Sequence, residues 1–151
     1  MNLNLGCGTD YHEGWVNVDK GSCRKDVEHD LEVFPWPFQD SSVDFVLIQH
    51  IFEHFKPKNF ISIMRELYRI GKNGSEIAII SPHAGSDNYW TDPTHQMPLT
   101  VRTFDFFDRR KPLFENGEIY GWDDVNFEVE AQVIPNQPNG PDVRHHLKVI
   151  K

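Results

Sequence analysis

At 151 residues, 38% of them hydrophobic and 25% charged, the chain is long enough for one domain whose core hides about two-thirds of the surface its unfolded form exposes. A formal charge of -8, with basic residues only at Arg65, Arg69, Lys72 and the run Arg109-Arg110-Lys111 besides isolated ones, speaks against long nucleic acid and against an anionic membrane as partners. No stretch approaches the ~20 apolar residues of a membrane span and no leader follows Met1, so the expectation is a cytoplasmic protein with Cys7 and Cys23 as free thiols.

The chain opens on NLNLGCGTDYHEGWVNVD. Leu3 and Leu5, then Val16 and Val18, alternate with polar residues, which predicts short strands at 2–6 and 15–19. Asp26 to Leu31 is a third, weaker strand. A turn-rich FPWPFQDSS follows, and then Val43 to Ile48, the most apolar run and the best candidate for a central parallel strand covered on both faces. Phe60, Ile63, Met64, Leu67 and Ile70 recur at helical spacing and predict a helix over 58–70, entered at Pro57 and closed by Gly71 and Asn73-Gly74.

Glu76 to Ile80 reads as another buried strand, stopped by Ser81-Pro82. From 83 to 125 the pattern loosens into aromatics and turn residues, with a short helix expected around 100–108. Residues 126–134 and 144–150 alternate as strands, joined across Asn136 to Asp142 as a hairpin. Parallel strands followed by an antiparallel hairpin predict a mixed α/β sheet. Only Cys7 to Gly14 separate the first two strands, too few for a helical crossover, so that link is a bare loop and one sheet face is expected to be thinly covered.

Ligands of open parallel sheets bind at the carboxyl ends of the strands. Gly6 and Gly8 stand at the first such end, Asp19 at the second and Asp30 at the third. A glycine turn lets a ligand approach the backbone, Asp19 can accept from both hydroxyls of a ribose, and Asp30 from a purine amine, with Leu31 or Phe34 against the base. A GxG is also the mark of an ordinary tight turn, and either acid also suits a loop cap. The order of turn, acid and acid is what points to a nucleoside-bearing ligand.

LNLGCG, WVNVD, HDL, VDFVLIQHIFEHF and RELYRIGKNGSEIAIISP together resemble the small class I S-adenosylmethionine-dependent methyltransferases over about residues 2–82. The resemblance implies a Rossmann-like fold with reduced helix cover, in which the final hairpin supplies the reversed seventh strand. It implies S-adenosylmethionine as cofactor, held by Gly6, Cys7, Gly8, Asp19, Asp30 and Leu31, with Gln49 and His50 beside it. Residues 1–151 then form one methyltransferase-like unit, with 2–82 as the cofactor half and 83–151 as the acceptor side. No helix precedes the first strand and none links it to the second, so the site is expected to be open, or completed by a partner subunit such as a second copy.

His50 and His54 with Glu53 do not follow the metalloprotease order, in which the acid adjoins the first histidine, and no metal is expected there; His83, Asp87, Asp92 and His95 are a second conceivable ligand set, set below the metal-free reading. Glu53 and His54 are read as organising the turn. Ser81 to Thr100 is the second concentration of interest: His83 follows a strand end directly, and Asp92-Pro93-Thr94-His95 resembles a segment of the same family on its acceptor side. His83 and His50 are the candidate proton acceptors. Tyr89, Trp90, Asp92 and His95 are the candidate acceptor side, for a small-molecule or saccharide-like group. His145 and His146, in a strand, should point one in and one out. Two rivals stand beside this reading. A non-catalytic module would keep the fold and lose the chemistry. A nicotinamide-dependent oxidoreductase needs a third glycine opening a helix and an acid about 20 residues on, whereas Asp19 stands 13 residues after Gly6.

Overall fold

The computed structural model describes residues 1–135 and 140–151. Seven strands form one sheet in the order β3-β2-β1-β4-β5-β7-β6. They are β1 (Asn2–Leu5), β2 (Val16–Asp19), β3 (Val27–Glu28), β4 (Val43–Gln49), β5 (Gly71–Pro82), β6 (Phe127–Ile134) and β7 (Asp142–Val149). The first five pair in parallel, while β7 runs antiparallel to both β5 and β6. This is the mixed sheet with a reversed strand that the pattern predicts. The expected hairpin loop falls largely on residues 136–139, outside the described residues.

Register explains why only one face is apolar. Leu3 and Leu5 pair with Val16 and Val18 on one side and with Val46 and Ile48 on the other, and those meet Ile77 and Ile79 of β5. Paired residues share a face, so these six strand positions across β1, β4 and β5 form a buried stripe with Val18 at its flank. Ile63, Met64, Leu67 and Ile70 of α1 (Phe60–Ile70) join the same core. The opposite face carries Asn17, Asn4, Leu47, Ala78 and His146 in register, with Leu47 and Ala78 only half-buried.

Asn4 and Asn17 are nevertheless buried. The loop linking β1 to β2 contains no helix; it folds over these two side chains and hydrogen-bonds them, while Trp15 sits edge-on to Phe45 at 5.5 Å. The bare crossover is thus real, and hydrogen bonds take the place of a packed helix.

Three local differences from the sequence reading have physical causes. The 58–70 helix begins as a 3-10 turn at Pro57–Asn59 before the α-helical span. Its exit is not a separate turn: β5 starts at Gly71, which pairs with Val43, and a register irregularity follows. A Cβ at Gly71 would lie 2.6 Å from Ser75 Oγ and 2.9 Å from Val149 Cγ2, so glycine is required for that approach. Between 83 and 125 the chain forms α2 (Asp87–Thr91), a 3-10 turn at Asp105–Phe107 in place of the expected helix, and α3 (Phe114–Ile119). Elements this short show no periodicity to read. Among the described residues no helix is long and apolar enough to cross a membrane.

Candidate active site

The carboxyl ends of β1, β2 and β4 converge on one edge. At the first, Gly6 and Cys7 both donate backbone N–H to Val18 O. Gly6 has φ +69, and a Cβ there would lie 2.4 Å from Ile51 Cγ1, so glycine at this position admits the β4 turn rather than a ligand. Gly8, at φ +50, is the open one, because a Cβ built there meets nothing within 4 Å.

Asp19 joins the two loops. Its Oδ2 accepts from Gly8 N at 2.9 Å and its Oδ1 from Gly21 N at 2.6 Å. Burial opposes ionisation, but the Gly21 and Gly8 N–H groups outweigh it and hold the carboxyl below the usual range. Each oxygen keeps a lone pair for a further donor. Asp30 lies two residues past β3, its Oδ1 capping Glu32 N at 3.0 Å and its Oδ2 3.2 Å from Lys20 Nζ. Cys7 is buried, which together with nearby Cys23 and Asp19 pushes its thiol up to about 11.

Beyond β4 the backbone turns sharply at His50, whose φ is +53. A 3-10 turn, Phe52–His54, follows and is anchored by Phe52, fully buried and edge-on to Phe55, Phe60 and Phe104. That anchor fixes where His50, Glu53 and His54 stand. The His50 ring lies between two carboxylates, with Nδ1 3.7 Å from Glu53 Oε1 and Nε2 3.7 Å from Asp142 Oδ2. Glu53 raises the imidazole's affinity for a proton; burial works against it, and Asp142 adds to the rise. Burial in turn raises Asp142, whose Oδ1 is buried without a hydrogen-bond partner among the described residues. Glu53 is held by Ser81 Oγ on Oε2 at 2.8 Å, and its carbonyl accepts from Gln96 N and Met97 N. The 92–97 segment is thereby pinned against the turn.

Three clefts meet around residues 49–55. One of about 310 Å³ is lined by Asp19, Asp30, Leu31, Ile51, His54 and Phe55. The second, about 270 Å³, lies over Gly6, Cys7, Gly8, Gln49 and His50. The third, about 570 Å³ and more open, is walled by His50, Glu53, His54, Asn88, Asp92 and His95. His50 belongs to the second and third, and His54 to the first and third.

Of the residues singled out in the sequence, Gly6, Cys7, Gly8, Asp19, Asp30, Leu31, Gln49, His50, Asp92 and His95 all line these clefts. Others do not. His83 lines none of the three; its Nδ1 accepts from Gly85 N at 3.0 Å within its own turn. Tyr89 and Trp90 are likewise absent from the third cleft: α2 turns Asn88 and Thr91 toward it, three apart on one face, which sends Tyr89 into the interior and leaves Trp90 72% exposed. Phe55, not Phe34, lines the first cleft beside Leu31. Asp142 and Lys20 were missed, Asp142 because a strand's first residue gives no signal of what it faces across the sheet. His145 is fully buried and His146 partly exposed, the alternation expected of a strand.

A family model described as a methyltransferase domain matches residues 3–79, about half of the chain. No curated protein matches. Among solved structures, an S-adenosylmethionine-dependent methyltransferase from Archaeoglobus fulgidus is 20% identical with a TM-score of 0.69, covering 97% of this chain and 85% of its own. One from Methanosarcina mazei is 16% identical with a TM-score of 0.61, covering 99% and 92%. The 1,6-didemethyltoxoflavin-N1-methyltransferase of Burkholderia thailandensis, solved with 1,6-didemethyltoxoflavin and S-adenosylhomocysteine, is 10% identical with a TM-score of 0.62, covering 99% and 71%. At these identities the likeness is one of fold.

Proposed function

This chain belongs to the methyltransferase-domain family, and from that premise we propose that it methylates a small-molecule or saccharide-like acceptor admitted through the cleft of His50, Glu53 and His95. Its cofactor is S-adenosylmethionine, which supplies a methyl group on a sulfonium. The residues present fit that group: Gly8 leaves its side of the turn open, Asp19 keeps free lone pairs for ribose hydroxyls, and Leu31, Ile51 and Phe55 give an apolar slot beside Asp30 for a base. A cation at the sulfur end also suits a cleft walled by Glu53 and by His50, whose ring Asp142 approaches from its other side.

The observation that carries the reading is the position of His50. It walls both the glycine-turn cleft and the more open one, and two carboxylates favour its protonated form. An imidazole so placed accepts a proton from a hydroxyl or amine in the third cleft, and Glu53 and Asp142 stabilise the imidazolium that results. Glu53, fixed by Ser81, orients the ring. Positioning supplies the rest, since in-line displacement at a sulfonium needs chiefly an aligned nucleophile. The low surface basicity supports a small neutral acceptor over a nucleic acid, and the open groove leaves room for a second copy to complete it.

Calorimetric titration with S-adenosylhomocysteine, with NAD as control, tests the proposal, followed by an acceptor screen read as S-adenosylhomocysteine release. Binding of the former alone with turnover on a hydroxylated or amine acceptor is the expected outcome. Binding without turnover across acceptor classes would leave a non-catalytic module in its place.

A further inference from the structure

Two histidines and a carboxylate from separate segments converge at the junction of the first and third clefts. Glu53 and His54 come from the turn after β4, and His95 from the segment after α2. Each offers a ligand atom, and the three atoms lie within 4.8 Å of one another. The rings of His54 and His95 meet edge to face at 4.7 Å. In the sequence, His54 stands nearest His50, and the order of that pair with Glu53 speaks against a metal. The fold pairs it with His95 instead.

The hydrogen bonds behind the rings decide which nitrogens are free. His95 Nδ1 lies 2.7 Å from the Tyr89 carbonyl, which can only accept, so Nδ1 carries the proton and Nε2 keeps its lone pair. His54 Nδ1 lies 3.0 Å from Thr94 Oγ1. The Thr94 hydroxyl spends its own proton on Asp92 Oδ1 at 2.7 Å, so it accepts from His54 and leaves Nε2 free there as well. Asp92 Oδ2, which takes none of these bonds, stands 3.8 Å from His95 Nε2. Outer partners that fix tautomer in this way, a backbone carbonyl on one ring and a carboxylate-backed hydroxyl on the other, are the arrangement metal-ligating histidines adopt.

We propose that Glu53, His54 and His95 form a divalent transition-metal site, with Asp92 as a fourth donor. Two imidazoles and carboxylate oxygens suit Zn²⁺, Fe²⁺, Co²⁺ or Ni²⁺ better than Mg²⁺ or Ca²⁺, which take oxygen alone. The site opens into the cleft of about 570 Å³, so positions on the ion remain for an exogenous oxygen or nitrogen. A hydroxyl held there loses its proton more readily. That consequence rests on the methyl-transfer reading; the metal site itself does not.

The test is titration of chelator-treated protein with Zn²⁺ by calorimetry, and with Co²⁺ by its visible absorption bands. One equivalent should bind. His54→Asn and His95→Asn each retain an amide donor near the Nδ1 position while removing Nε2, and each should weaken binding by roughly 100-fold or more. Thr94→Val, at an exposed residue, keeps every proposed donor but removes the acceptor behind His54 and the hydroxyl that holds Asp92, and should cost about 10–100-fold. Urea unfolding of each metal-free variant shows whether it is folded. Failure of the parent to take up either ion overturns the site, as does parent-like affinity in all three variants. Titrating the same metal-free protein with S-adenosylhomocysteine separates the two readings: metal uptake without cofactor binding sinks methyl transfer alone, and cofactor binding without metal uptake sinks this site alone.

Discussion

Asn4 Nδ2 donates to Asn17 Oδ1 at 3.1 Å, between residues that sit opposite each other on adjacent parallel strands and are both buried. Asn17 Oδ1 also accepts from His12 N, and its Nδ2 donates to His12 O and Asp26 Oδ2. One side chain therefore ties two strands, the crossover loop and the approach to β3. Asn17→Ala leaves several buried groups unpaired at about 1–3 kcal/mol each, so a loss of about 3 kcal/mol is expected. Urea unfolding reads it as a lower midpoint at unchanged slope. A loss below about 1 kcal/mol would mean that the loop holds itself.

Asp19→Ala should weaken S-adenosylhomocysteine binding about 10- to 100-fold, the value of charge-assisted hydrogen bonds at about 1.5–3 kcal/mol. Asp19→Asn distinguishes two contributions. It keeps an acceptor for Gly8 or Gly21 N–H but gives up the charge. Calorimetry that finds both variants equal to the parent removes Asp19 from the site.

The His50 ring should titrate above 6.5, and Glu53→Gln should bring it down, followed by the ring proton resonances. The sign is that of a raised base. Its stabilising contribution is full below the unfolded value near 6.5 and is lost as pH rises through the higher folded value. A His50 that titrates below 6.5 contradicts the two-carboxylate environment.

His145 has the opposite sign. Burial depresses it to about 4, its Nε2 donates to Thr100 O at 2.8 Å, and its Nδ1 is buried without a partner among the described residues. The unfolded chain binds this proton near 6.5, so stability falls as pH drops from about 6.5 toward 4, by about 3 kcal/mol in all. His145→Gln keeps a donor for Thr100 and should flatten that part of the profile. The comparison is urea-unfolding stability of parent and variant at several pH values across that window. Parallel profiles would show that other groups carry the acid loss.

The sheet was legible because its strands repeat at period two and its long helix at 3.6, and because glycines and acids mark strand ends. Gly8, Asp19, Asp30 and Leu31, which line the first two clefts, were legible with it, because each stands at or just past a strand's end and a strand end is a place that sequence order alone assigns. The helices after β5 and the third cleft were not legible in the same way. Whether Tyr89 or Asn88 faces the groove depends on the phase of a five-residue helix, which no repeat reveals.

Local sequence thus determined the strands, their alternation and the glycine turn after β1, since these follow from each residue's near neighbours. Only the tertiary structure decided the rest. The pairing of β7 beside β5 brings Asp142 to His50, and the pinning of the 92–97 segment by the Glu53 carbonyl brings His95 to His54. Those contacts span 41 to 92 positions of chain, and residues so far apart meet by sheet order and core packing, which no local pattern encodes.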